Sequence, residues 1–223
     1  MSKPNVLIVP GYKGSGDAHW QTWIENHTMS IRVEQDWDSP ILARWADNVR
    51  DAIDNSVGAL WIVAHSFGCL AAISAAVDRP DRVAGLMLVA PADPERFTLT
   101  GIRDKSDWNP IESIRALIPV HKLPFPTLVV ASDDDPWMKL TTIQLWSECW
   151  GSRLLILKSA GHINIASGYG PWPLGLSLLK EFQVAYQHLP LGDLYVKDFS
   201  GHARGRGSQI ARTRHQTRRL LGI

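Results

Sequence analysis

Short, almost wholly apolar segments recur along the chain and alternate with segments of helical periodicity. Apolar runs rich in Val, Ile and Leu are typical of strands that are buried on both faces of a parallel sheet. The predicted strands are residues 5–9, 31–35, 60–64, 84–90, 127–131 and 153–157. The alternation predicts an α/β fold, a three-layer α/β/α sandwich with helices on both faces of a mostly parallel sheet of about six strands.

The predicted helices occupy the intervals between these strands. Ser39 followed by Pro40 is typical of an N-cap and a first helical position, and apolar residues then recur every four positions from Ile41 to Ile53. Further helices are predicted at residues 18–27, directly after Ser66, and at residues 139–149 and 174–188. Residues 93–124 interrupt the rhythm, and we expect a short cap segment there with one helix near residues 111–117. An irregular surface crossover is the alternative.

Composition bounds the number of domains and the class of protein. A chain of 223 residues with 45% hydrophobic residues fits one domain, which we place at residues 1–190. Residues 191–223 carry 7 Lys and Arg against 2 Asp, whereas the preceding part has 16 basic and 20 acidic residues. This predicts a basic, poorly ordered extension. No aromatic residue is interleaved among its arginines, so a solvated tail is favoured over a nucleic-acid contact.

Neither a signal peptide nor a membrane span is predicted, because the apolar runs are too short, and a cytoplasmic protein without membrane contact is expected. The two cysteines, Cys69 and Cys149, lie on predicted helices and lack the spacing of a metal site or a disulfide framework. We expect both to be core thiols, and we expect no metal and no cofactor.

The stretch AHSFG, residues 64–68, connects a predicted buried strand to a predicted helix. A serine in such a turn matches the G-x-S-x-G nucleophile elbow, which is tight and needs small residues two positions before and after the serine. Gly68 meets that need and Ala64 meets it with one extra methyl group. The alternative is that Ser66 only caps the helix.

An acid and a histidine follow at the ends of the next predicted strands. The strand 127–131 leads into three aspartates, residues 133–135, and the strand 153–157 leads into His162. The order serine, acid, histidine is that of α/β-hydrolase triads. Asp93, after the fourth strand, is a weaker candidate for the acid.

Two other histidines compete with His162 for the role of base. His65 directly precedes Ser66 in the elbow, and we expect its side chain to pack or to form a hydrogen bond beneath the turn. His19 is expected to line the pocket or to cap the start of a helix. Only His162 follows the acid in the chain, and it is the predicted base.

Four segments resemble those of small α/β-hydrolases of the retinoblastoma-binding protein 9 and YdeN-like serine hydrolase group. They are VLIVPGY (6–12) followed by His19 and Trp20, AHSFGC (64–69), SDDDP (132–136), and GHIN (161–164) with SGYGPWP (167–173). The resemblance covers roughly residues 5–188. It implies a serine hydrolase whose triad is Ser66, His162 and one aspartate of residues 133–135. Ala64 departs from the glycine that is frequent in the family.

The choice among the three aspartates depends on counting from the end of the strand. In related hydrolases the acid typically falls third after a small residue and often before a proline. Counting from Ser132 selects Asp135, which precedes Pro136, whereas counting from Ala131 selects Asp134. We therefore favour Asp135, and we expect the two other aspartates to form a solvated acidic turn.

Backbone amides are expected to stabilise the oxyanion. One is that of Phe67, after the nucleophile, and the other is that of Tyr12 in the glycine-rich loop 10–16. This loop lacks the spacings of nucleotide-binding motifs. The residues expected to line an aromatic substrate pocket are His19, Trp20, Trp108, Trp137 and Trp172. Filling of the core is the alternative for each tryptophan.

The predicted function is hydrolysis of a small ester through an acyl-enzyme, with a small acyl compound as substrate. Cleavage of peptide or amide bonds is an alternative, because the same triad serves both bonds. A non-catalytic interaction module on a hydrolase fold is another, although an L-x-C-x-E motif is absent from the sequence. The sequence leaves the oligomeric state open.

Overall fold

A computed structural model of the protein describes residues 5–103 and 113–186. The basic extension predicted for residues 191–223, the pocket role predicted for Trp108 and the start of the helix predicted near residues 111–117 lie outside the described residues.

The centre of the molecule is a six-stranded parallel sheet with the strand order β2-β1-β3-β4-β7-β8. The strands of the structure are β1 (Val6–Val9), β2 (Ser30–Arg32), β3 (Leu60–His65), β4 (Val83–Val89), β5 (Phe97–Thr98), β6 (Gly101–Ile102), β7 (Thr127–Ser132) and β8 (Arg153–Leu157). β5 and β6 form a separate antiparallel hairpin, which the hydrophobic pattern did not predict.

Helices cover both faces of this sheet. They are α1 (Trp20–Glu25), α2 (Leu42–Asp54), α3 (Phe67–Ala76), α4 (Leu140–Trp150) and α5 (Pro173–Tyr186). Along β3 the side chains of Leu60, Ile62 and Ala64 join the core beneath α2, α3 and α4. Trp61 and Val63 face the other way, into the core beneath α1 and α5. Two apolar layers on one sheet confirm the predicted three-layer α/β/α fold.

The start of α2 differs from the prediction. The helix begins at Leu42 with Ile41 as its N-cap residue, and no side chain caps it. The carbonyl of Ser39 instead accepts hydrogen bonds at 2.8 Å from the amide of Ile41 and from the indole N–H of Trp45. The predicted Ser39 cap is wrong, because this residue closes a turn ahead of the helix.

The two cysteines differ in their exposure to solvent. Cys69 is fully buried in α3, which confirms the prediction of a core thiol. Cys149 is exposed, and its predicted place in the core is wrong. The buried face of α4 is formed by Ile143, Trp146, Ser147 and Trp150, and residue 149 lies outside this face.

The segment between β4 and β7 includes short 3₁₀ helices at Pro94–Arg96 and Ile114–Leu117 and the hairpin of β5 and β6. It brings Phe97 against Phe67 of α3, with ring centroids 4.5 Å apart. The cap segment therefore packs directly on the helix that follows Ser66.

The loops that follow β1, β3, β7 and β8 lie at one edge of the sheet, because all six strands run parallel. β1 lies between β2 and β3, and the chain moves outward in opposite directions from it. The crevice at such a switch point, outside the carboxyl ends of the strands, is where α/β proteins bind ligands.

None of the helices among the described residues is long and apolar enough to cross a membrane.

Candidate active site

Ser66 occupies a strained turn between β3 and α3, with φ 54° and ψ −126°. Its amide donates to the carbonyl of Val89 at 3.1 Å, which ties the turn to β4. The hydroxyl forms no capping hydrogen bond with α3. The interpretation of Ser66 as a helix cap is therefore wrong, since the side chain is directed elsewhere.

Close backbone packing explains where this turn needs glycine. A Cβ atom at Gly68 would lie 2.3 Å from the carbonyl oxygen of Pro10, and one at Gly11 would lie 2.7 Å from the Cβ of Ser66. Ala64 is a buried strand residue paired with Val9 and Leu88, and its φ is not positive. The methyl group of Ala64 therefore adds no backbone strain to the elbow.

Ser66, His162 and Asp135 form one hydrogen-bonded chain. The hydroxyl oxygen of Ser66 lies 2.8 Å from Nε2 of His162, and Nδ1 of His162 lies 2.9 Å from both carboxylate oxygens of Asp135. Because an ionised carboxylate only accepts hydrogen bonds, the imidazole proton belongs on Nδ1 and Nε2 is left to accept from the serine. The side chain of Asp135 is 3% exposed, so this chain of contacts is shielded from water.

The other candidate acids have structural partners. One carboxylate oxygen of Asp93 accepts from the amide of Glu95 and caps a 3₁₀ helix. The carboxylate of Asp133 accepts from the amide of Ser159 at 2.8 Å, and that of Asp134 accepts from the amide of Gly161 at 2.7 Å. Both side chains are exposed, as predicted for a solvated acidic turn, and they also accept hydrogen bonds from a neighbouring loop, which was not predicted.

Together these contacts join two segments, the acid loop (residues 132–135) and the histidine loop (residues 159–163). The hydroxyl of Ser132 accepts from the amide of Ala160 at 2.9 Å, between the contacts made by Asp133 and Asp134. The hydrogen bond from the Ser132 hydroxyl, followed by that from the Gly161 amide, lowers the pKa of Asp134. Charge on the acid loop thus helps to order the backbone that carries His162.

The backbone amides predicted to stabilise an oxyanion are those of Tyr12 and Phe67. The N–H groups of Tyr12 and Phe67 donate to no backbone carbonyl among the contacts of the described residues. The glycine-rich loop is held directly after Tyr12, since the amide of Lys13 donates to the carbonyl of Trp37 at 2.9 Å. β2 ends at Arg32, earlier than the predicted residue 35.

A cavity of about 340 Å³ opens at Ser66 and His162. Of the predicted pocket residues, His19 and Trp137 line it. The cavity is also lined by residues that were not predicted to lie there: Lys13, Gly14, His65, Phe97, Asn164, Ile165 and Ala166. Tyr12, predicted as an amide donor, lines it as well.

Trp20 and Trp172 lie in the core instead of the cavity lining. Trp20 is 0% exposed and Trp172 is 5% exposed, and their rings meet edge to face with centroids 5.3 Å apart. The predicted place of both residues in the pocket lining is wrong, because position near a loop does not determine where a side chain points.

The rings of His19, His65 and His162 form a row at the cavity. The ring centroids of His19 and His65 are 5.1 Å apart, and those of His65 and His162 are 5.0 Å apart. Burial lowers the pKa of His19 to about 4, and burial places the pKa of His65 well below its usual value. Both are therefore neutral near pH 7. His19 also caps α1, because its Nδ1 accepts from the amide of Gln21 at 3.1 Å.

Comparison with known protein families and structures gives a consistent result. A model of the serine hydrolase family matches residues 6–181. A crystal structure described as that of a YdeN-like hydrolase from Pectobacterium atrosepticum is similar with 35% sequence identity and a TM-score of 0.72, over 82% of this chain and 91% of that one.

More distant structures share the fold. The ydeN gene product of Bacillus subtilis matches with 19% identity and a TM-score of 0.61, over 82% of this chain and 100% of that one. Est1E from Butyrivibrio proteoclasticus matches with 17% identity and a TM-score of 0.64, over 83% of this chain and 89% of that one. No curated protein matches the sequence.

Proposed function

We propose that this chain, which belongs to the serine hydrolase family of α/β-hydrolases, cleaves small carboxylic esters with Ser66 as its nucleophile. The observation that carries the proposal is the hydrogen-bonded chain from Ser66 to His162 to Asp135, with contacts of 2.8 Å and 2.9 Å. An alcohol is a weak nucleophile at neutral pH, and a base within hydrogen-bond distance activates it.

In the first half of the reaction, Oγ of Ser66 attacks the ester carbonyl carbon while its proton passes to Nε2 of His162. Asp135 accepts from Nδ1, keeps the ring in the productive tautomer and stabilises the imidazolium. The amides of Tyr12 and Phe67 donate to the tetrahedral oxyanion. When the C–O bond breaks, the leaving alkoxide takes the proton from Nε2, and an acyl group remains on Ser66.

In the second half, a water molecule loses a proton to Nε2 of His162 and attacks the acyl carbon. The serine oxygen leaves with that proton, and a carboxylic acid is released. The sequence of steps consumes one water, restores the triad and draws on no other reactant.

The size and lining of the cavity support a small and mostly apolar acyl compound. Its volume of about 340 Å³ lies near the lower end of the usual range for ligand cavities, about 300–1,000 Å³. Apolar groups reach it from separate segments, with Phe97 from the cap, Trp137 after the acid loop and Ile165 after the histidine loop. The charge of Lys13 is paired with Asp38 at 2.6 Å.

Hydrolysis of p-nitrophenyl acetate, compared with p-nitrophenyl palmitate and with the amide p-nitroacetanilide, tests this proposal. We expect turnover of the acetate, much weaker turnover of the palmitate and little of the amide. The Ser66→Ala variant should lower kcat/KM for the acetate about 10⁴-fold or more, the scale seen when a triad member is removed.

Ser56→Ala is the matched control, because the hydroxyl of Ser56 contacts the carbonyl of Ala52 at 2.6 Å, ahead of β3 and remote from the cavity. It should retain the parent activity. Faster cleavage of the amide than of the ester would reject the ester assignment. Equal activity of Ser66→Ala and the parent would reject the nucleophile.

A further inference from the structure

The histidine loop has a backbone that few side chains favour. Ser159, Gly161 and Ile163 have φ values of 49°, 54° and 47°. The left-handed region is a rare outlier for a β-branched residue such as Ile163. Residues in such a conformation persist only where their surroundings determine it, and they concentrate at functional sites. The contacts around Ile163 must therefore stabilise this conformation.

Two buried ring N–H groups hold the carbonyls at the end of this loop. Nε2 of His65 lies 3.0 Å from the carbonyl oxygen of His162, and Nε1 of Trp20 donates to the carbonyl oxygen of Ile163 at 2.8 Å. A carbonyl oxygen only accepts, so Nε2 of His65 carries the proton. The partners are distant in the chain, since 97 and 143 residues separate them.

The positions of the two donors link the base to the nucleophile and to the core. His65 immediately precedes Ser66, so its hydrogen bond ties the elbow directly to the backbone of the base. Trp20 is 0% exposed and opens α1, and its ring also contacts Trp172 in the core under α5. The acid loop holds the amides of residues 159–161 from the other side. The whole histidine loop is thereby clamped between two sets of hydrogen bonds.

We propose that His65 and Trp20 are positioning residues that hold the backbone of His162 and Ile163 so that Nε2 of His162 meets the hydroxyl of Ser66. This inference rests on the proposed function, because positioning matters to the extent that His162 is the base. Trp20 touches no reacting atom, and its effect on catalysis passes through the Ile163 carbonyl. Displacement of a reacting group by about 1 Å lowers rates by about 10²-fold.

Trp20→Phe tests the indole hydrogen bond, because it deletes the N–H and leaves an aromatic ring in the core. Trp150→Phe is the matched control. Nε1 of Trp150 also donates to a carbonyl at 2.8 Å, that of Pro119, and the residue is 1% exposed. Both variants lose one buried indole hydrogen bond of equal length, and Trp20→Phe alone loses it at the histidine loop.

Three measurements separate positioning from general destabilisation: kcat and KM for p-nitrophenyl acetate, the rate of labelling by a fluorophosphonate, and the far-downfield proton NMR signal of the His162 Nδ1–H. For Trp20→Phe we expect kcat and the labelling rate to fall about 10- to 100-fold, with KM nearly unchanged and the proton signal shifted or broadened. Trp150→Phe should keep the parent values of all three.

A pair of substitutions at His65 tests the second donor independently, including the case in which Trp20→Phe does not fold. His65→Gln keeps a side-chain N–H near the position of Nε2, whereas His65→Leu provides none. In His65→Leu we expect kcat to fall and the proton signal of the His162 Nδ1–H to disappear. In His65→Gln a large part of the parent kcat and of this signal should be recovered.

The outcomes are distinguishable. Absence of fluorophosphonate labelling of the folded parent would reject the proposed function and this inference with it. If the parent is labelled while Trp20→Phe and His65→Leu are labelled at the parent rate, the positioning roles are wrong and the proposed function stands. Equal losses of kcat in Trp20→Phe and Trp150→Phe, or in His65→Leu and His65→Gln, would also overturn the positioning roles.

Discussion

The nucleophile elbow and the histidine loop carry the two side chains that we propose to react, and they reach their geometry in different ways. The elbow is local: one strand, one turn and one helix place Ser66, and close packing against the end of β1 requires Gly68. The histidine loop leads into a short 3₁₀ helix at Ile165–Ser167, and segments from elsewhere in the chain hold its backbone. A short sequence motif can therefore specify the nucleophile, whereas the base depends on contacts between segments that are far apart in the chain.

The largest expected effect tests which aspartate orients the base. Asp135→Asn should lower kcat about 10⁴-fold, because an amide in place of the carboxylate favours the wrong imidazole tautomer and no longer stabilises the imidazolium. Asp134→Asn should change kcat far less, since the carboxylate of Asp134 contacts Ser132 and Gly161 instead of the His162 ring. Parallel kcat measurements on the two variants check this prediction, and full activity of Asp135→Asn would refute it.

The next effect tests the local construction of the elbow. Gly68→Ala should lower the free energy of unfolding by about 1–3 kcal/mol, because the new Cβ would lie 2.3 Å from the backbone oxygen of Pro10 and force the turn apart. Gly16→Ala is the control, since a Cβ there would meet nothing within 4 Å and φ is not positive. Urea denaturation measures both, and equal stability of the two variants would argue against the packing explanation.

Acid should destabilise the fold at His19 and at Asp134 in different pH ranges. The folded pKa of His19 is lowered to about 4, so between pH 6.5 and 4 the unfolded chain binds a proton that the folded protein does not. Stability therefore falls as the pH decreases through this range, by up to about 1.4 kcal/mol per pH unit from this residue. The lowered pKa of Asp134 acts in a lower range, where its contribution is lost as the pH falls through the folded value.

His19→Asn isolates this effect, because an asparagine oxygen can still cap α1 and does not titrate. Urea denaturation at pH 7, 5.5 and 4.5 should show a shallower loss of stability for the variant than for the parent. Parallel slopes in the two proteins would exclude His19 as the acid-sensitive group.

Local features of the fold and site could be predicted from the sequence, whereas contacts between distant segments could not. Strand periodicity and the order serine, acid, histidine identified the sheet, the elbow, Ser66 and His162, and the spacing in related hydrolases selected Asp135. The roles of Asp133 and Asp134 as partners of the histidine loop were missed, because an acidic turn looks the same whether or not an amide from a neighbouring loop meets it. Position in the chain also did not reveal that Trp20 points into the core while Phe97 reaches the cavity.

The most direct test of the account locates the activated side chain. The parent protein is treated with a fluorophosphonate, digested, and its peptides are sequenced by mass spectrometry. We expect one adduct, on Ser66. It should be absent from the Ser66→Ala variant and form much more slowly in Asp135→Asn. An adduct on another residue, or an unlabelled parent that is correctly folded, would contradict the assignment of this chain as an active serine hydrolase.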